Sequence, residues 1–203
     1  MQPQAPPSTS ARRGRKPKPR AVELHISIAE IDPPIWRYVR VPDEYTLDQL
    51  HRVIQLLFGW QDFHLYSFEA GERRFEEPDV EATGEDSTVV RLADLKLEKG
   101  ARFTYTYGFG DDWVHEIEVR DVYISTPRDD EPPFPMLLGG ARAGPHEDSG
   151  GPHGHQQMVD ALRDPRHPEH KEYRRWAAVY DPERFDVWMA RNNLTLAAAW
   201  GAI

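Results

Sequence analysis

Five polar side chains in this sequence could do chemistry together: His64, Asp111, His115, Glu147 and Asp148. Imidazole nitrogens mixed with carboxylate oxygens suit zinc, manganese or iron. His64, Asp111, His115 and Glu147 form the set that could share a divalent ion. With one coordination position open, such a centre would activate water for hydrolysis. The ligands come from scattered segments, however, and no tight pair such as His-Glu-x-x-His occurs. Each histidine also has a plainer reading as a satisfied core residue. Side chains alternate along a strand, so His115 shares a face with Trp113, Ile117 and Val119. His64 shares one with Tyr66 and Phe68 in the same way.

Asp111, Trp113 and His115 close the densest stretch of the chain, FTYTYGFGDDWVH from Phe103 to His115. Alternating aromatics run into a Gly-Phe-Gly-Asp-Asp turn, which predicts a β-hairpin over 101–124. The hairpin makes one wall of a candidate pocket, with His64 behind it and the Glu147-Asp148 loop as a lid. That loop, Pro145-His146-Glu147-Asp148-Ser149-Gly150-Gly151, is equally readable as a connector. Its Asp and Ser would then cap a helix at Gln156, or its acids would pair with a basic residue such as Arg37. Ser149 lacks a Gly-x-Ser-x-Gly elbow, and Gly108-x-Gly110 lacks the third glycine of a dinucleotide loop. Trp60, Trp113, Tyr105 and Tyr107 could stack nucleic-acid bases, but an acidic body lacks the cations that phosphates need. Core packing suits them better.

The elements that must hold these groups follow from periodicity. Val22, Leu24, Ile26 and Ile28 alternate as a strand, and Ile35 to Val41 makes a second. Thr46-x-x-Gln49 is a capping box, Leu47, Leu50, Ile54 and Leu57 recur at helical spacing, and Gly59 stops the helix. His64 to Ala70 and Arg73 to Phe75 read as strands, with an acidic solvated loop over 76–87. Gln156–Leu162, Glu169–Ala178 and Pro182–Asn192 read as helices, the last opened by Asp181 and Pro182. The expected fold is α+β: a mixed or antiparallel sheet, an early helix and a helical C-terminal third.

Composition bounds the rest. The 203 residues include no cysteine, which removes disulfides, thiolate zinc sites and cysteine nucleophiles. No apolar run approaches the roughly 18 residues of a membrane span, and the N-terminus lacks a signal peptide's apolar segment, so the expectation is a soluble cytoplasmic protein. Net charge is −9 but uneven. Six of the 25 Lys and Arg lie in residues 1–20 with no acid, leaving 19 basic against 34 acidic residues in the remainder. Residues 1–20 therefore read as a disordered basic arm before a single domain over 21–203. Within the arm, Arg13, Gly14, Arg15 and Lys16 resemble the core of an AT-hook, in which arginines enter the narrow groove of A·T-rich DNA. Lys16 stands where the hook has proline, and a merely solubilising tail is the alternative for residues 12–20.

The ordered motifs now in hand resemble a known family. Trp36-Arg37, Val41-Pro42, Leu50-His51, Gln55, Gly59-Trp60 and His64-Leu65 come first. Phe109-Gly110-Asp111, Trp113, His115, Pro145-x-Glu147-Asp148-x-Gly150-Gly151, Gly154 and Phe185-Asp186 follow. Together they are similar to the plasmid pRiA4b ORF-three family, also known as a TnpR-type passenger protein of insertion elements, over about residues 21–193. The resemblance implies a compact α+β domain associated with mobile elements and implies no biochemical activity. Relatives often carry cysteines where this chain has Leu137, Gly144 and Ser149, so a thiolate role there cannot operate. Two functions stay in view. The favoured one is a non-enzymatic accessory module, binding a protein partner or, through its arm, DNA. The alternative is a metal-dependent hydrolase-like enzyme at the His/Asp/Glu site.

Overall fold

The computed structural model describes residues 20–79, 82–124 and 135–203. The first two alternating segments form strands β1 (Arg20–Ile28) and β2 (Trp36–Pro42), paired antiparallel. The capping box then works as the sequence implies. Gln49 N donates to Thr46 Oγ1 at 3.2 Å, and Thr46 N donates to Gln49 Oε1 at 3.0 Å. Helix α1 runs from Leu47 to Phe58 and ends where Gly59 turns left-handed. Strands β3 (Tyr66–Ala70), β4 (Arg73–Glu76) and the two-residue β5 (Glu85–Asp86) follow, then the hairpin β6 (Arg102–Tyr107) and β7 (Trp113–Ile124). Strand β8 (Met136–Ala141) precedes helices α2 (Gly151–Arg163), α3 (His170–Trp176) and α4 (Val187–Ala199).

All eight strands join one sheet in the order β5-β4-β3-β6-β7-β1-β2-β8. Every pairing is antiparallel except β4 with β5. Helix α1 lies on one face, where Leu50, Ile54 and Leu57 meet Leu24, Ile26, Phe68, Tyr105 and Ile117 in a single core. The other face is polar, with His25 of β1 stacked on Trp36 of β2 at 5.3 Å. This is the mixed α+β architecture, with the hairpin near the middle of the sheet.

Several boundaries differ from the sequence reading, each for a physical reason. The C-terminal third is less helical than expected. It opens with β8 on the sheet edge, and its helices are 13, 7 and 13 residues long. Pro165 and Pro168 break the path between α2 and α3, because proline lacks the donor a helix needs. Asp181-Pro182 makes a turn instead of a helix start: Glu183 N donates to Asp181 Oδ1, and Arg184 N to Asp181 O. Asp186 caps α4 instead, accepting from Met189 N at 2.9 Å. Helix α2 starts at Gly151 behind a left-handed Gly150, with no side-chain cap, so the capping role expected of Asp148 and Ser149 is not used. The acidic loop is partly structured, since Glu76 accepts from Thr83 N and Gly84 N and Glu85 pairs with Arg73. Arg20 belongs to β1, paired with Ile124, instead of to the arm. Arg13, Gly14, Arg15 and Lys16 lie outside the described residues.

Candidate functional site

At the turn end of the hairpin, His64, Tyr107, Gly108, Gly110, Asp111, Trp113, Glu147 and Asp148 line a cavity of about 100 Å³. Five of the six expected pocket residues are therefore neighbours. The loop of residues 145–151 is strapped across this mouth by side chains. Trp60 Nε1 donates to Pro145 O at 2.9 Å, and Tyr107 OH donates to Glu147 Oε1 at 2.7 Å. Gln61 N also donates to the Glu147 carboxylate, His64 Nε2 meets Asp148 Oδ1 at 2.9 Å, and Gly150 N donates to Asp111 Oδ2 at 3.2 Å. Gly151 permits the approach: at φ +68, a Cβ there would stand 2.4 Å from Asp111 O. Burial, reinforced by the hydrogen bond to Glu147, raises the Tyr107 hydroxyl well above the usual tyrosine range, so it stays a donor.

His64 reaches the mouth from a bend, not from β3 as its spacing suggested. Asp62 is left-handed at φ 61. The amides just before β3 are taken by side chains: Asp62 N donates to Gln55 Oε1 and Phe63 N to Tyr107 OH. With these N–H groups so engaged, residues 62 and 63 stay off the sheet, and Leu65 O accepts from Gly108 N at 2.9 Å just before β3 begins.

His115 is absent from the mouth. It is fully buried among Phe58, Trp60 and Tyr105, with ring centroids 4.8–5.2 Å away, and its Nδ1 donates to Trp113 O at 2.9 Å. Burial pushes its pKa down to about 3, so it is a neutral core imidazole. The set His64, Asp111, His115 and Glu147 consequently does not converge. Among the described residues, no group of three His, Asp or Glu side chains is placed to hold one metal ion. Nor do the loop acids pair with Arg37. Its guanidinium is buried over the Phe185 ring at 3.7 Å and donates to Leu57 O, Trp36 O and Ala141 O. Burial lowers its pKa to about 9.

A second constellation escaped the sequence reading. His51 Nε2 meets Asp62 Oδ1 at 2.7 Å, and His51 Nδ1 meets the Tyr105 hydroxyl at 2.8 Å. Gln55 Nε2 donates to the same hydroxyl at 3.0 Å. One assignment satisfies every atom: Nε2 carries the proton toward Asp62, and Tyr105 donates to Nδ1. The hydrogen bond from His51 holds the Asp62 carboxyl below its usual range. Tyr105 is wholly buried, so no substrate reaches it, and the network braces α1 against the hairpin. The signal was available, since His51 and Gln55 sit one turn apart among Leu50, Ile54 and Leu57.

These motifs and this fold have counterparts. The profile of the plasmid pRiA4b ORF-3-like protein family matches residues 20–189. The chain belongs to that family. A relative, the uncharacterized protein y4hQ of Sinorhizobium fredii, is 34% identical over 185 residues, 88% of this chain and 93% of that one. A crystal structure from Methanosarcina mazei Go1, the protein of unknown function MM3350, superposes with a TM-score of 0.74 at 30% identity. It covers 84% of this chain and 97% of its own. Neither name states an activity. No helix among the described residues is long and apolar enough to cross a membrane.

Proposed function

We propose that the chain is a non-enzymatic binding module of a mobile-element family, and that the hairpin mouth grips a basic, partly apolar segment of a protein partner. The observation that carries this reading is the rim of the mouth. Phe63 and Phe109, 70% and 48% exposed, are chain neighbours of His64 and Gly110 in the mouth, and Phe109 lines a second hollow with Leu65, Glu76, Glu77 and Asp79. Grouped apolar side chains with a charged border mark interaction sites more often than chance exposure. The mouth cavity, at about 100 Å³, falls below the roughly 300 Å³ of small ligand pockets. Its polar atoms already bond one another, which suits a docking surface better than a reaction chamber. The hydrolase reading would need a ligand to replace His115.

The test is a nuclear magnetic resonance titration of the full chain with two decapeptides, one alternating Lys and Leu, the other Glu and Leu. The Lys-Leu peptide is expected to shift amides of Phe63–Leu65 and Phe109–Asp112, and the Asp111→Asn/Asp148→Asn variant to weaken binding about tenfold. Equal response to both peptides, or shifts elsewhere only, would reject the reading. DNA contact by the basic arm is a second reading, carried by the Arg13-Gly14-Arg15 sequence.

A further inference from the structure

Helix α4 is apolar on two opposite faces. One seats Ala190 and Leu194 in the core, against β8 and α1. The other presents Trp188, Met189, Leu196 and Trp200, which are 74%, 55%, 48% and 79% exposed. At about 100° per residue these four fall on one stripe, with Asn192 and Ala199 between them and Thr195 at its edge. No charged residue falls on that stripe. Single exposed apolar residues are ordinary, but two tryptophans on one short helix face are not.

We propose that this stripe seats a second copy of the same chain, with the two α4 helices antiparallel about a two-fold axis. The order of residues fits such an axis. The large aromatics stand at both ends, about 18 Å apart along the helix, with small and polar residues between. Antiparallel pairing therefore sets Trp188 of one copy beside Trp200 of the other and brings Asn192 and Thr195 to the centre, as an isologous contact requires. The four side chains leave on the order of 500–600 Å² open, and the residues between them raise this toward the roughly 800 Å² per partner of a standard interface. Beyond residue 20 the chain holds 19 basic against 34 acidic residues, a self-repulsion that a contact between copies must offset and to which the uncharged stripe adds nothing. A lipid surface fits less well, since interfacial helices carry Lys and Arg on the polar side. The only basic residue of α4, Arg191, donates to Leu137 O. None of these four residues lines the mouth cavity, so the surface is separate from the mouth and from its proposed role.

Sedimentation velocity on the full chain between about 1 and 100 µM reads the result. The expected species has twice the 23.4 kDa chain mass, and Trp188→Glu/Trp200→Glu shifts dissociation at least 100-fold toward monomer with unchanged circular dichroism. Because the chain has no cysteine, Asn192→Cys gives a second readout that does not depend on the folding of the double variant. Mild oxidation is expected to link Asn192→Cys into dimers and to leave the control Glu72→Cys, on the β3–β4 turn, monomeric. A wild-type monomer throughout that range overturns the proposal. So does a dimer that survives both glutamates, equal cross-linking of the control, or a monomer that binds anionic phosphatidylserine vesicles through α4.

Discussion

His115 and His155 show what burial does to a single imidazole. Burial pushes their pKa values down to about 3 and about 4, with Arg142 adding to the shift at His155. Both lie below the ordinary value of about 6.5. In the window from about 6.5 down to those values, the unfolded chain binds protons that the folded chain refuses. Stability is therefore full above pH 6.5 and falls with acidification, each histidine contributing at most about 1.4 kcal/mol per pH unit. His115→Phe keeps the ring among Phe58, Trp60 and Tyr105 and removes one titration. Urea unfolding at pH 7 and pH 4.5 is expected to show a smaller acid loss for the variant. Parallel losses in both proteins would exclude His115 as a source. Alternation along β7 was enough to read His115 as buried. It could not tell that the apolar side led away from His64, because that depends on where α1 lands.

Elements built from local bonds were the legible ones. Thr46 and Gln49 cap α1 with atoms three residues apart, so the sequence contains the whole interaction. The start of β3 was misread because Gln55, one loop away, and the far more distant Tyr107 and Glu147 take the amides of residues 61–63 and hold the approach to β3 off the sheet. Strand β8 was missed because Gly139-Gly140 reads as a loop until β2 supplies the pairing. The same contrast predicts two different mutational outcomes. Thr46→Ala removes one local cap and is expected to cost about 1 kcal/mol, with Trp113 fluorescence unchanged. Gly151→Ala forces a Cβ against Asp111 O at a left-handed backbone position and is expected to cost about 1–3 kcal/mol. It also separates α2 from the hairpin turn, so Trp113 emission shifts to the red. Equal cost with no spectral change for both variants would refute the close approach at Gly151.

At the scale of the whole molecule, charge divides the chain. Removing residues 1–19 deletes Arg12, Arg13, Arg15, Lys16 and Lys18 and moves net charge from −9 to −14. If the arm touches DNA, fluorescence anisotropy with an A·T-rich duplex will show binding that weakens at least tenfold between 50 and 200 mM salt, and truncation will abolish it. Binding retained without residues 1–19 would dismiss the arm.

Strand β1 gives that arm a mechanical meaning. Arg20 starts the strand, and β1 lies between β2 and β7, hydrogen-bonded along both sides. An edge strand under tension peels away one bond at a time. A middle strand pulled along its length loads two ladders together, and they must fail almost at once. Tension applied through the chain before Arg20 would therefore load the domain across two ladders at once.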